Sequence, residues 1–529
     1  YQPRRSRLDR EHMVDTRDQF RGFFTLFWTT MACYVTLTVV RNFSEHGVLL
    51  GGALFDIFST DALTLIASDA IMVGATTLAV PLSWLESRGW ISRIPFLLIQ
   101  LCYETAFIVG AVYWTLWRSW PWVQTTFFVL HSIVMLMKLH SYLARNHELA
   151  WMNTRTKLLR NWLQRRERGE PVAELSSGTS SGASASASPL SESPVLLPAD
   201  APAKVVQDAQ AVAAAVAAAT LDTPTDGDGG NATAITTGAS TGIATGSLRQ
   251  RRSAATGHAD SDVGDNSTSA ALLADADTRI RASDARQELA ELEDDLGVGK
   301  LTYPHNITPL NFFEYLVIPS LVYELNYPRS DRIRPGYLFE KIAAILGTFT
   351  LLYMMVEHYV LPALYGTAHL PIWHALPQLL CPTLVVFLLC FFIIFEFICN
   401  AFAELSFFAD RSFYDDWWNS TTFDEFARNW NKPVHHFLLR HVYVPLYRDC
   451  GLSRSHASLL TFLISSIFHE LAIAVVCGHV RMYLFSFQML QIPLISMTRL
   501  AGRRVRETIG NWFFWFSMAV GPPLLLCLY

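Results

Sequence analysis

The chain has 529 residues, of which 51% are hydrophobic and only 16% are charged, whereas an ordinary soluble chain carries about a quarter charged residues. The formal net charge of -5 is small for this length and gives no sign of the basic surface that binds nucleic acid. Every Phe, Trp and Tyr lies outside 163–302, so that stretch cannot build a hydrophobic core. The remainder of the chain is richer in apolar side chains than a water-soluble fold needs. The composition therefore excludes a single soluble globular domain.

Apolar stretches of membrane-spanning length follow one another along the chain. A helix that crosses a bilayer needs about 20 mainly apolar residues. Some of the stretches carry a polar side chain, such as Asp69 in the second of them. Nine stretches predict spans: 23–40, 62–85, 94–117, 121–143, 338–364, 376–402, 457–478, 481–498 and 509–528.

The Lys and Arg residues that flank these stretches predict their orientation. With the N-terminus in the cytosol, nine spans put 25 of them on the cytosolic side and only Arg41, Arg118 and Arg481 on the other. Such a bias follows the positive-inside rule. It predicts a cytosolic N-terminal segment, 1–22, that leads into a signal anchor. The chain begins at Tyr1 rather than Met and stops inside its last apolar stretch, so we expect a fragment.

Two membrane regions are separated by a segment of different composition. The first four spans make up 23–162, and the last five make up 303–529. Between them, 163–302 is rich in Ser, Ala, Gly, Thr and Asp, which predicts a disordered cytosolic insert. Within it, the Ala-rich 203–220 and the charged 277–295 are candidates for helices. The insert thus joins two halves of one membrane unit.

Isolated charges inside the spans favour structural roles. Lys138 stands near the end of the fourth span, where we expect its ammonium group to extend to the cytosolic interface. Glu340 and Glu357 lie in the fifth predicted span, 338–364, and Glu396 lies in the sixth. We expect these carboxylates to be hydrogen-bonded parts of the fold and not a proton path.

A polar and aromatic segment, 407–449, lies between the sixth and seventh spans. It contains the run FYDDWWN at 413–419 and the pair Trp430-Asn431. The segment is too aromatic for a solvated loop and too polar for a span. It predicts a re-entrant or interfacial segment that packs its Trp residues and lines a polar cavity. An interfacial aromatic belt with no further role is the alternative.

His469 lies in the middle of the seventh span. Ionisable side chains inside a membrane helix are functional candidates, and a neutral histidine is the usual general base near neutral pH. At helical spacing His469 shares a face with Ser465 or Ser466, while Glu470 is turned about 100° away. A structural histidine bonded to a neighbouring helix is the alternative. A zinc HExxH site is excluded because Ile473 stands at the second histidine position.

These features resemble a known family. FYDDWWN, Asn431 and His469 are similar to the sterol O-acyltransferase and diacylglycerol acyltransferase branch of the membrane-bound O-acyltransferases. Longer stretches resemble the fungal sterol enzymes: 135–142, 303–329, 435–443, 459–472 and 487–494. The resemblance implies an all-α, polytopic protein of the endoplasmic reticulum membrane, with about nine spans that enclose an intramembrane reaction chamber.

The resemblance also implies a reaction. A long-chain acyl group would pass from acyl-coenzyme A to the 3β-hydroxyl of an ergosterol-like sterol, giving a steryl ester for storage. Acyl-CoA would be a co-substrate, with no cofactor and no metal. The partners implied are the two substrates, membrane lipids and further copies of the chain in a dimer or dimer of dimers, and no nucleic acid.

Site residues follow by matching motif positions. His469 matches the family's catalytic histidine and Asn431 its polar partner, while His140 matches a residue near the sterol path. Arg454 falls where relatives can have Lys, and Glu425 where an Asn can stand, so Glu425 is left out. The positions implied for acyl-CoA are Phe413, Tyr414, Asp416, Trp417, Trp418, Asn419, Arg428, His435, Tyr443, Arg454 and Ser465.

Two other functions stay open. Diacylglycerol acylation, which makes triacylglycerol, shares all of these motifs and is the first alternative. A non-catalytic lipid or proton transporter, whose buried His and Glu residues relay protons, belongs to a different class. Diacylglycerol acylation is distinguished from sterol acylation by which acceptor becomes the ester product. The transporter hypothesis is distinguished from an enzyme by whether ester synthesis depends on the His469 imidazole.

Overall fold

The computed structural model describes residues 1–8, 21–47, 53–169, 266–297, 301–367, 369–500 and 503–529. These residues are mostly helical and form no extended strand, only two isolated bridges. The helices are α1 Arg21–His46, α2 Ala53–Ser59, α3 Ala62–Thr76, α4 Ala79–Ser87, α5 Arg93–Arg118, α6 Trp122–Glu167, α7 Asn266–Gly297, α8 Pro309–Val317, α9 Pro335–Met355, α10 Leu361–Thr367, α11 Ile372–Phe391, α12 Cys399–Leu405, α13 Phe423–Trp430, α14 Lys432–Leu438, α15 Val444–Arg448, α16 Arg454–Cys477, α17 Tyr483–Leu500 and α18 Arg503–Leu528.

Seven helical stretches of the described chain are long and apolar enough to cross a membrane: Ala62–Ser87, Arg93–Arg118, Trp122–Glu167, Pro335–Thr367, Ile372–Leu405, Arg454–Cys477 and Ile509–Leu528. They confirm the predicted all-α, polytopic membrane fold. The other two predicted spans, 23–40 and 481–498, fall on α1 and α17. The number nine stays a prediction.

Two of the long membrane helices contain π-helical turns, in which the hydrogen-bonding ring is one residue larger than in an α-helix. Val356–Val360 separates α9 from α10, and Phe392–Ile398 separates α11 from α12. Such turns insert a residue into the helix and often occur at functional positions. The second one carries Glu396, whose carboxylate is buried and accepts from Lys341 at 2.9 Å. The hydrogen-bonded role predicted for Glu396 is confirmed.

The described chain divides into two compact units, Tyr1–Thr154 with Asp294–Tyr529, and Arg155–Glu293. The second unit holds the end of α6 and most of α7, which are joined by the ion pairs Arg155–Glu288 and Arg160–Glu293.

Helices enter the predicted insert from both ends, since α6 continues to Glu167 and α7 occupies the C-terminal part of 163–302. The helix predicted over 277–295 is confirmed by α7. The candidate helix 203–220 and the disorder predicted for 170–265 lie outside the described residues.

Lys138 does not extend to the aqueous interface, so that expectation was wrong. Its side chain is buried, and its Nζ donates to the carbonyl oxygens of Tyr315, Ile318 and Ser320 at 2.9, 2.7 and 2.9 Å. The carbonyl oxygens around the turn that follows α8 give the buried ammonium group the hydrogen bonds that compensate for its loss of water. Lys138 therefore fixes the 315–320 turn against α6.

Candidate active site

The FYDDWWN segment is anchored by its aromatic residues. Phe413, Tyr414 and Trp417 are buried in a core cluster with residues of α11, α13 and α18. The Trp417 ring packs edge-on against Trp430 with centroids 4.8 Å apart, and against Phe391 at 5.0 Å. Edge-to-face pairs at such distances add to the free energy gained by burial. These three motif residues hold the loop in place and do not line an open surface.

Tyr414 also has a polar anchor. Its hydroxyl donates to Glu396 Oε2 at 2.8 Å, on the π-helical turn below the loop. Burial, reinforced by the Glu396 carboxylate, raises the pKa of Tyr414 well above its usual value, so the hydroxyl stays protonated as a donor. The motif tyrosine thereby connects the loop to the membrane helix Ile372–Leu405.

Hydrogen bonds fix the loop on both sides. Asp415 N donates to Asn429 O at 2.8 Å, and Lys432 Nζ donates to the Asp415 carboxylate at 2.7 Å. The carbonyl of Trp418 accepts from Asn511 Nδ2 at 2.9 Å and from Trp515 Nε1 at 3.0 Å, both on α18. Asp416, Trp418 and Asn419 remain partly or fully accessible. With Asp415, whose side chain is 35% exposed, they are the motif residues able to meet a ligand.

Asn431 stands at the junction of two short helices. It follows the last residue of α13 and caps α14, where its Oδ1 accepts from Val434 N at 3.2 Å. An N-cap of this kind uses only the oxygen of the amide. The Nδ2 group donates no hydrogen bond within the described chain. The cap therefore orients the amide and leaves two N–H donors for a substrate.

His435 follows one turn later on α14. Burial, with a further contribution from His436, lowers its pKa to about 4. Its imidazole is therefore neutral at physiological pH, as is that of His436, whose pKa burial also lowers to about 4. A neutral imidazole can form hydrogen bonds in a poorly hydrated site without the free-energy cost of burying a charge.

His469 lies on α16 with an exposed side chain. Its Nδ1 lies 2.8 Å from the carbonyl oxygen of Ser465. Because a carbonyl oxygen only accepts, Nδ1 carries a proton, which leaves Nε2 as the ring nitrogen that can accept one. The position of the ring proton is thus set by a hydrogen bond within the same helix.

Glu470 has a different task. It is buried and accepts from the backbone N–H groups of Met482 and Phe485 at 2.6 and 3.1 Å, and from the Tyr529 hydroxyl at 2.8 Å. The carboxylate thus satisfies orphan donors at the start of α17. As the helical spacing predicts, His469 and Glu470 point to different surroundings.

The remaining predicted acyl-CoA residues form two groups. Arg428 pairs with Asp424 at 3.0 Å on α13. Tyr443 and Arg454 meet through Tyr447, which stacks on Tyr443 with centroids 6.2 Å apart and lies 5.7 Å from the Arg454 guanidinium. No hydrogen bond of the described residues joins His469 to Asn431. The predicted site residues thus belong to neighbouring elements, with α16 packed against the segment Leu439–Arg448.

His140 belongs to a polar cluster inside the membrane region. Its Nδ1 lies 3.1 Å from both carboxylate oxygens of Glu104 on α5, and its ring packs edge-on against His441, with centroids 5.3 Å apart. His441 Nε2 in turn lies 2.8 Å from Ser141 Oγ. Glu104 and His441 were missed by the sequence analysis. The rule that singled out the glutamates of later spans would have found Glu104 too.

Comparison with known proteins relates the chain to one family model and to several curated proteins. The family model "MBOAT, membrane-bound O-acyltransferase family" matches residues 106–529. The chain is 30% identical over 541 aligned residues to probable sterol O-acyltransferase 1 of Schizosaccharomyces pombe, covering all of the chain and 85% of that relative. It is also 30% identical to sterol O-acyltransferase 2 of Candida albicans, covering 97% of the chain and 75% of the relative. A shorter alignment, 43% of the chain and 37% of the relative, is 37% identical to diacylglycerol O-acyltransferase 1 of Dictyostelium discoideum.

Proposed function

We propose that this chain, which belongs to the membrane-bound O-acyltransferase family, transfers a long-chain acyl group from acyl-CoA to the 3β-hydroxyl of a sterol. The observation that carries the chemistry is His469, whose Nδ1–H is held by the Ser465 carbonyl so that Nε2 is free to accept a proton. Near full-length similarity to relatives named for sterol acylation supports the choice of acceptor.

In the proposed reaction, one proton moves from the sterol hydroxyl through His469 to coenzyme A, and no cofactor is needed. Nε2 of His469 takes the sterol hydroxyl proton as the oxygen attacks the thioester carbonyl, and the oxygen of that carbonyl gains negative charge. The free Nδ2 donors of Asn431 stabilise that charge. When the tetrahedral intermediate collapses, the C–S bond breaks, and the thiolate of coenzyme A takes the proton from His469 Nε2. The products are a steryl ester and free coenzyme A.

Acyl-CoA binds from the cytosolic side in this proposal. Asp416, Trp418 and Asn419 lie along its entrance, while Phe413, Tyr414 and Trp417 hold that loop from below. The polyanionic head meets the positive charges of Arg428 and Arg454. His435, Tyr443 and Ser465 contact the thioester arm, and the absence of bulk water protects the thioester.

The sterol reaches the chamber from the membrane, past His140. The Glu104–His140 pair supplies a carboxylate and an imidazole to a hydroxyl group that leaves the headgroup region. In this proposal the protein lies in the endoplasmic reticulum membrane. The flanking charges support a cytosolic position for the segment that precedes the first span. It acts as a homo-oligomer, a dimer or dimer of dimers.

Acceptor choice is tested in microsomes from cells that lack their own acyltransferases. With labelled oleoyl-CoA, we expect steryl ester to be the main product when ergosterol and diacylglycerol are both supplied. Triacylglycerol as the main product would overturn the sterol assignment in favour of the activity named for the Dictyostelium relative.

The same membranes test enzyme against transporter. His469→Ala should lower ester synthesis by about 100-fold or more at unchanged protein level, because general base catalysis contributes that much. Substitution of His479, an exposed histidine beyond the end of α16, by Ala serves as the control and should leave the rate unchanged. Ester synthesis that survives His469→Ala would refute the mechanism.

A further inference from the structure

The first eight residues lie along the loop that leads into the FYDDWWN segment. Arg4 forms a parallel bridge with Asp410, in which Arg4 N donates to Ala409 O at 3.1 Å and Arg411 N donates to Arg4 O at 2.9 Å. Backbone pairing over a sequence separation of about 400 residues fixes the two segments in one register. We name residues 1–8 the N-terminal strap.

A charged side-chain pair reinforces this bridge. Arg4 Nε and Nη2 donate to the two carboxylate oxygens of Asp410 at 3.0 and 2.7 Å. The Asp410 side chain is only 3% exposed, so the bidentate pair is largely shielded from water on that side. Bidentate guanidinium–carboxylate pairs are among the strongest side-chain hydrogen bonds and impose a defined geometry.

The strap also reaches the anchor of the motif tyrosine. Ser6 is 1% exposed, and its Oγ donates to Glu396 Oε2 at 2.5 Å, the same oxygen that accepts from the Tyr414 hydroxyl. Leu8 N donates to the Tyr414 hydroxyl oxygen at 3.2 Å. The strap therefore completes a buried network that joins the π-helical turn to the FYDDWWN segment.

Arg7 lies at the accessible side of the same loop. Its Nε is 3.6 Å from Asp416 and 3.9 Å from Asp415. Because Arg7 is half exposed, this pairing contributes little to stability. Its charge nevertheless offsets two carboxylates at the point where a polyanionic coenzyme A head would approach.

We propose that the N-terminal strap is a positioning element that holds the 409–419 loop in the shape that admits acyl-CoA. The inference rests on the proposed function, since it assigns the strap to the acyl-CoA entrance. The strap touches neither reacting group. It acts through Asp410, Tyr414 and Asp416, and it should govern the KM for acyl-CoA more than the KM for the acceptor.

A double-mutant cycle on the purified full chain tests the proposal. We expect Arg4→Gln and Asp410→Asn each to raise the KM for oleoyl-CoA about tenfold and to change the KM for ergosterol less than about twofold. The double variant should be no worse than Asp410→Asn alone, because the two residues act as a unit. Arg332→Gln, which removes an exposed arginine next to the Arg329–Phe408 bridge, is the matched control and should leave both KM values unchanged.

Ser6 provides a second pair of variants. Ser6→Ala removes one donor to Glu396, whereas Ser6→Asp brings a second carboxylate against it. We expect a larger rise in the KM for oleoyl-CoA for Ser6→Asp than for Ser6→Ala. Additive losses in the cycle, or equal changes in both KM values, would overturn the strap as a positioning element.

Failure of the strap can be told apart from failure of the proposed function. If the wild-type chain esterifies diacylglycerol in place of ergosterol, the KM for oleoyl-CoA is still measurable. The double-mutant cycle can then be carried out with diacylglycerol as the acceptor. If the wild type esterifies neither, limited proteolysis supplies the readout. Arg4→Gln should then open a cleavage site within 409–419 that the wild type resists, and unchanged protection would overturn the proposal.

Discussion

At the residue scale, the candidate chemistry depends on which atoms the fold leaves free. Both His469 and Asn431 make one local hydrogen bond, to the Ser465 carbonyl and from the Val434 N–H respectively. Each bond uses one end of the side chain and orients the other. The imidazole keeps an acceptor and the amide keeps its donors, which are the two groups that acyl transfer to a hydroxyl requires.

Asn431 permits a prediction that separates its two ends. Asn431→Asp keeps an oxygen to cap α14 and loses the donors, so we expect kcat to fall about 100-fold with little change in the thermal unfolding temperature. Asn431→Ala also loses the cap and should lose about 1 kcal/mol of stability in addition. Steryl ester formation and unfolding in detergent micelles measure the two effects. An aspartate variant with normal kcat would exclude the donors from catalysis.

Buried Lys138 gives a prediction about stability. Lys138→Met removes a hydrogen-bond donor from three carbonyl oxygens, so we expect a lower unfolding temperature and less folded protein in the membrane. Lys157→Met, at an exposed position further along α6, should have no such effect. Equal behaviour of the two variants would show that the Lys138 contacts contribute nothing to stability.

At the scale of elements, helix α18 holds the FYDDWWN loop in place by approaching it closely. A Cβ atom at Gly510 would lie only 2.6 Å from the Thr421 carbonyl oxygen, so glycine is what lets the helix backbone meet the loop. Asn511 and Trp515, which bond the Trp418 carbonyl, follow on the same helix. The close approach and these hydrogen bonds therefore depend on one another.

Gly510→Ala tests this contact. The added methyl group must push α18 away from the loop, and we expect a loss of about 1–3 kcal/mol of stability together with lower activity. Gly521→Ala on the same helix is the control, because a Cβ there meets nothing within 4 Å. Thermal unfolding and ester synthesis of the two variants should differ clearly. Indistinguishable variants would mean that the loop can give way at no cost.

At the scale of the whole molecule, partly buried histidines that are neutral couple stability to pH. Burial lowers the pKa of His435 and His436 from 6.5 to about 4, and that of His441 also falls well below 6.5. Between pH 6.5 and 4 the unfolded chain binds protons at these positions that the folded chain does not. Stability contributed by the neutral rings is present above pH 6.5 and is lost as the pH falls toward 4.

The unfolding temperature in micelles should therefore decrease when the pH is lowered from 7 to 5. A His435→Gln/His436→Gln variant removes two of the titrating groups, so the decrease should be smaller than in the wild type. His479→Gln, at an exposed position, is the control. The same slope in the double variant and the wild type would show that these two rings do not determine the pH dependence.

The sequence by itself determined the elements and the candidate chemistry. Helices cover all nine apolar stretches, because hydropathy and length are local properties that a membrane helix must satisfy on its own. His469 and Asn431 were found because polar groups in apolar or aromatic surroundings are conspicuous. The rotation of Glu470 away from His469 also followed from helical spacing alone, and the contacts of Glu470 agree with it.

Only the tertiary structure decided which groups meet. Tyr414, Glu396 and Ser6 share one network although up to 408 residues separate them, and Lys138 finds its acceptors about 180 residues away. The burial of Phe413 and Trp417 could not be read from the motif, since an aromatic residue suits both a core and a membrane interface. The sequence of a span that is apolar on every face does not indicate which helices it packs against. Long-range polar contacts therefore appear only when the helices are packed together.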